Sequence, residues 1–61
     1  MIIKLHHPDG TEMLVESNNI FEIIEHDTKE SFYTTVHFED YYIVCSEKLK
    51  EIQSMLGEVN G

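Results

Sequence analysis

Between Ser31 and Gly57 the hydrophobic period of the chain changes partway, and few folds accommodate that change. Phe32, Thr34, Val36 and Phe38 fall on one side of an extended segment by alternation, with Tyr33, Thr35 and His37 on the other. Tyr41 to Cys45 has the aromatic and β-branched composition of a half-buried strand, so Glu39-Asp40 is the turn between two strands. From Ser46 onward Leu49, Ile52 and Leu56, with Met55 beside them, recur at i, i+3 and i+7, which is a helical stripe. The spacing predicts a helix over about Ser46 to Leu56. Ser46 is its expected N-cap, Glu47 complements its N-terminus, and Gly57 stands just past its end. Two strands that run into a helix with no linker predict a hairpin with the helix folded back on one face.

The upstream half supplies more strands. Ile2 to Leu5 and Thr11 to Val15 flank His7-Pro8-Asp9-Gly10, where Pro fixes φ, Asp caps the bend and Gly accepts a positive φ. Ile3 and Leu5, opposite Met13 and Val15, form the inward face of this hairpin, which leaves Ile2 and Leu14 outward. Ser17-Asn18-Asn19 marks a second turn. Ile20 to Glu25 offers Ile20, Ile23 and Ile24 on one side as a short helix. At six residues, rich in β-branched and aromatic side chains, it is strand-sized, and the strand is the preferred of the two readings. His26 to Glu30 reads as a polar turn and Gly57 to Gly61 as a frayed tail. The expected fold is a single α+β domain, a small curved antiparallel sheet of four or five strands with one C-terminal helix packed on it. Its expected core is Ile3, Leu5, Val15, Ile24, Val36, Phe38, Val44, Leu49, Ile52 and Leu56.

A domain of 61 residues buries only about 60% of the surface its unfolded chain exposes. Such domains lean on disulfides, metals or partner chains. Cys45 is the single cysteine, so no internal disulfide exists and a reducing compartment is implied. Four Lys, no Arg and twelve acidic residues give a net charge of −8, which argues against direct binding to nucleic acid or anionic membranes. No signal peptide or membrane span is read from the chain, because Met1-Ile2-Ile3 is followed at once by Lys4 and two His. The expected location is the cytoplasm. The expected partner is an unidentified protein, and the outward Ile2 and Leu14 with free strand edges favour a homodimer.

No cofactor, metal or catalytic group is expected. His6, His7, His26 and His37 match no recognised ligand spacing, and adjacent His6 and His7 point to opposite sides of a strand. Cys45 precedes the helix without a cation beside it, so it reads as a buried structural thiol. Glu39 and Asp40 are adjacent turn carboxylates, and a chain of this size encloses little pocket volume. Tyr33 and His37 share a strand face, and Tyr41 is expected to join them across the turn. Tyr combines apolar area with a hydroxyl and is enriched at interface cores, although a cross-strand aromatic pair can also serve the sheet alone. The candidate partner-binding surface is therefore Tyr33, His37, Glu39, Asp40 and Tyr41, aromatic anchors with an acidic rim.

The segments MIIKLHHPDG, IFEIIEHD, TVHF and YIVCSE, in that order, resemble the FlbD/SwrD family of small bacterial flagellar-motility proteins. The resemblance covers nearly the whole chain through apolar and turn positions, and the chain departs from the family pattern at Glu39-Asp40, where the family has a Gly turn. It implies a regulatory or adaptor role exercised by protein–protein binding. The competing expectation is an acidic inhibitor of phage or mobile-element type. Its charges at Asp9, Glu25 to Asp27 and Glu39-Asp40 would occupy a basic nucleic-acid-binding surface of a target protein.

Overall fold

Asp9 closes the first turn as its composition demands. Its Oδ1 accepts from the Thr11 backbone N–H (2.9 Å) and from the Thr11 hydroxyl (2.8 Å), while Gly10 takes φ +95°. Strands β1 (Ile2–His6) and β2 (Glu12–Glu16) leave this turn antiparallel, with Ile3 opposite Val15 and Leu5 opposite Met13. Ile3, Leu5 and Val15 are buried, whereas Ile2 and Leu14 are exposed on the other face, as the alternation requires. A single 3-10 turn at Ser17–Asn19 follows, held by Glu16, whose Oε2 accepts from the Asn18 N–H and the N-terminal amine. The computed structural model from which these features are taken describes residues 1–57; the remainder of the expected frayed tail, 58–61, lies outside the described residues.

Strands β3 (Glu22–Asp27), β4 (Phe32–His37) and β5 (Tyr42–Cys45) form an antiparallel sheet with β4 at its centre. The strand expected over Ile20 to Glu25 is present but shifted by two residues. Ile20 closes the 3-10 turn through its N–H to Ser17 O, and His26 and Asp27 extend the strand in place of beginning a turn. The five strands make up an α+β fold but not one continuous sheet: β1–β2 and β3–β4–β5 are separate. The reason lies at their junction. Ser46 N–H reaches His6 O (2.9 Å), but the His6 N–H is taken by the Glu47 carboxylate (2.8 Å), so a side chain caps the strand end where a ladder would continue.

Helix α1 (Leu49–Met55) is shorter at its start than the apolar stripe suggested. Glu47 is drawn into the interior toward His6, and Lys48, at φ −80° and ψ 157°, becomes the N-cap in place of Ser46. Lys is a poor cap, so carboxylates from elsewhere supply the acceptors. Glu51 accepts the Lys48 N–H (2.7 Å) and Glu25 accepts the Leu49 N–H (3.3 Å), as the positive end of a helix favours. At the far end Gly57 adopts φ +72°, the left-handed conformation that ends helices.

Among the described residues seven buried apolar side chains form the core: Ile3, Leu5, Val15, Val36, Phe38, Cys45 and Ile52. Cys45 takes the structural place expected of it. Four expected core residues are only half-buried. Ile24 and Val44 lie opposite Thr35, on the outer sheet face, because it is Ile23 and Ile43 that lie opposite Val36. Leu49 opens the helix and is not among the side chains packed on the core, whereas Leu56, at the helix end, packs against it.

Candidate functional site

The five candidate residues divide between two surfaces. Tyr33 and His37 belong to the outer face of the β3–β4–β5 sheet. Glu39, Asp40 and Tyr41 belong to the β4–β5 turn, where Tyr41 stacks on Phe38 (centroids 4.8 Å, 13° between planes). The side chain that meets His37 is Tyr42, stacked at 5.3 Å and directly opposite in register. The expected grouping of Tyr41 with Tyr33 and His37 is therefore corrected by one residue. Tyr41 to Cys45 is apolar at every position, so no alternation in it marked which tyrosine faced out.

At the turn, Phe38 donates its N–H to Tyr41 O (2.7 Å) and Phe21 donates its own to His37 O (2.7 Å). These bonds fix the backbone while the aromatic side chains project. Phe21 is 80% exposed and Tyr41 60% exposed. Together with Ile20 and Phe38 they line a groove of about 540 Å³, bordered by Asn18, Asn19, Glu39 and Asp40. Both acidic residues are exposed, and neither carboxylate makes an ion pair or side-chain hydrogen bond among the described residues. Sequence reasoning missed Phe21, whose ring looked like strand packing. Its position one residue before β3 is what leaves it outside.

On the outer face Thr35 lies at the centre. Only 5% exposed, its hydroxyl is within hydrogen-bond distance of His26 Nε2 (3.0 Å) and His37 Nε2 (2.9 Å). The His26 ring stacks on Tyr33 at 4.5 Å, 9° from parallel. The polar run His26 to Glu30 reads as a turn in the sequence, which hides the convergence of His26, in β3, with His37.

A third polar cluster lies inside. Glu47 is 8% exposed, its carboxylate accepting from the His6 N–H and facing His6 Nδ1 at 2.5 Å. An ionised carboxylate only accepts, so His6 Nδ1 carries the proton. Burial pushes the Glu47 carboxyl up, but the hydrogen bonds from the His6 ring and backbone outweigh it and hold the group below its ordinary range. Thr34 donates its hydroxyl to Glu47 O (2.6 Å). Burial raises the Cys45 thiol above its ordinary range, so this sulfur is not a thiolate at neutral pH.

Among the described residues no three His, Cys, Asp or Glu side chains converge as a metal-ligand set, and no helix is long and apolar enough to cross a membrane. Compared with protein-family models, curated proteins and solved structures, the chain gives no match.

Proposed function

We propose that this protein is a non-enzymatic regulatory or adaptor module that binds a basic, apolar-tipped segment of another protein in the groove at the β4–β5 turn. One observation carries the reading. Two exposed aromatic rings, Phe21 and Tyr41, stand on a fixed backbone beside two uncommitted carboxylates, Glu39 and Asp40. Aromatic anchors inside a polar rim are the anatomy of a protein interface, and free acidic groups on a chain of net charge −8 complement a Lys- or Arg-bearing partner. The role agrees with what the FlbD/SwrD resemblance implies. The absence of catalysis is part of the proposal. It is supported by a Cys45 thiol that is buried and protonated.

A display library of short random peptides tests the reading. Peptides that pair Lys or Arg with a large apolar residue should be enriched. Phe21→Ala or Tyr41→Ala should weaken them by about 1–2 kcal/mol while the domain stays folded. Charge reversal at Glu39 and Asp40 should chiefly slow association and flatten its salt dependence. Enrichment indifferent to all four substitutions would place the interface elsewhere. Equal sensitivity to reversal at Asp9 or Glu25, away from the groove, would favour the charge-mimic reading instead. Self-association is a separate part of the proposal, and sedimentation equilibrium at micromolar concentration that shows only a 7.1 kDa species would remove it.

A further inference from the structure

We propose that the outer face of the β3–β4–β5 sheet binds a borderline divalent transition-metal ion, of the Cu²⁺, Ni²⁺ or Zn²⁺ class, through His26 Nε2 and His37 Nε2. The two histidines start from opposite ends of the face. His26 lies opposite Tyr33 and His37 opposite Tyr42, with Thr35 midway between them on β4. Their Nε2 atoms nevertheless converge on one point, 3.0 Å and 2.9 Å from the Thr35 hydroxyl oxygen. The two nitrogens are thus separated by less than twice a hydrogen-bond length.

The hydrogen-bond balance around Thr35 shows why this convergence suits a cation. A hydroxyl has one proton to donate. Its alternative acceptor, Ile24 O, is 3.5 Å away, at the limit of a useful bond. The better arrangement gives that proton to one imidazole and takes an N–H from the other. One Nε2 lone pair is therefore already aimed at the centre. The second is provided when the other ring shifts its proton to Nδ1, a change of tautomer. Neutral imidazole nitrogens suit Cu²⁺, Ni²⁺ and Zn²⁺, with bonds of about 2.0–2.1 Å for zinc. The ion lies beside the hydroxyl rather than in its place, with the Thr35 oxygen and water as further oxygen ligands. Stacking on Tyr33 and Tyr42 holds each ring in plane, so little ordering remains to be done on binding.

Isothermal titration of the untagged chain at neutral pH with the chloride salts of the three metals tests the assignment. One ion per chain should bind at micromolar concentration, Cu²⁺ most tightly. His26→Gln and His37→Gln should each weaken binding at least as much as the loss of a supporting group does, about 10–100-fold. His6→Gln and His7→Gln should leave it unchanged. Wild-type imidazole ¹⁵N spectra provide a readout that requires no variant to fold: Zn²⁺ should shift Nε2 of His26 and His37 and spare the other two rings. No binding at micromolar metal, binding that survives the double His26/His37 substitution, or shifts confined to His6 and His7 would each overturn the site.

Discussion

Thr34 and Thr35 are neighbours on the central strand and both are shielded from solvent, yet they open onto regions built on different principles. On the inner side, Thr34 binds the Glu47 carbonyl while the Glu47 carboxylate takes the backbone and ring of His6. These bonds tie β1, β4 and the segment before α1 to one point. On the outer side, Thr35 is covered by the rings of His26 and His37, side chains from its own sheet that lie at the surface. A polar group whose partners span several elements is part of what holds the molecule together. One whose partners are neighbouring surface side chains can lose them to a ligand without unfolding anything.

The largest expected difference between the two sides is in apolar packing. Ile52 is fully buried beneath the inner face, so Ile52→Ala should cost about 2–5 kcal/mol, much of the stability a domain this small possesses. Val44, half-buried on the outer face, should cost about 1 kcal/mol or less on the same truncation. Chemical denaturation of the two variants checks this. Equal losses would mean that the outer face is as much a core as the inner one.

Next in size is Glu47. Glu47→Gln keeps an acceptor for the His6 N–H but loses the charge facing the ring, and should cost about 1.5–3 kcal/mol at neutral pH. The sign of its pH dependence follows from the depressed carboxyl. The contribution is present above the unfolded-state value of about 4.3 and is lost as pH falls through the lower folded-state value. The gap between wild type and Glu47→Gln should therefore be fully present at neutral pH and close as pH falls through the lowered folded-state value. Asp9, held down by its bonds from Thr11, and Glu16, held down by the N-terminal amine, titrate in the same acid range but are common to both proteins. A gap that stayed constant with pH would show that Glu47 does not act through its charge.

What the sequence disclosed of these two sides follows from how local each feature is. The first hairpin and the inward set Phe32, Thr34, Val36 and Phe38 were readable, since turn chemistry and alternation act between near neighbours. Glu47 was misread because, before an apolar helical stripe, a Ser-Glu pair looks like a helix start. The partner that draws it inside, His6, is 41 residues away in sequence. The outer face was half visible. Tyr33 and His37 share a parity that alternation shows, whereas His26 and Tyr42 depend on a register that no local pattern fixes.

The paired threonines allow a sharper test with one isosteric change. Thr34→Val removes a fully buried 2.6 Å bond and leaves the Glu47 carbonyl short of a partner, at a cost of about 1–3 kcal/mol. Thr35→Val removes the hydroxyl between two half-buried rings whose nitrogens water can still reach, so its cost should be about 0.5–1 kcal/mol. Urea midpoints of the two variants should fall in that order, with the same slope. The reverse order would make Thr35 a structural centre and would weaken the case for an outer face able to exchange its partners.

The smallest effect concerns the stacked pairs themselves, and a pair of double-mutant cycles isolates it. His26 and Tyr33 face each other across β3 and β4, nearly parallel at 4.5 Å; His37 and Tyr42 face each other across β4 and β5 at 5.3 Å and 26°. Cross-strand pairs of this kind couple by about 0.2–1 kcal/mol. The closer, flatter His26–Tyr33 pair should lie toward the upper end and His37–Tyr42 toward the lower, because contact between rings falls off with separation. The measurement compares unfolding free energies of each single Ala variant, both doubles and the parent. Coupling near zero in both cycles would mean the rings add nothing to the fold and are held only loosely over Thr35. Coupling well above 1 kcal/mol would instead make the outer face a second packed layer, and the contrast between the two sides of β4 would then be one of degree.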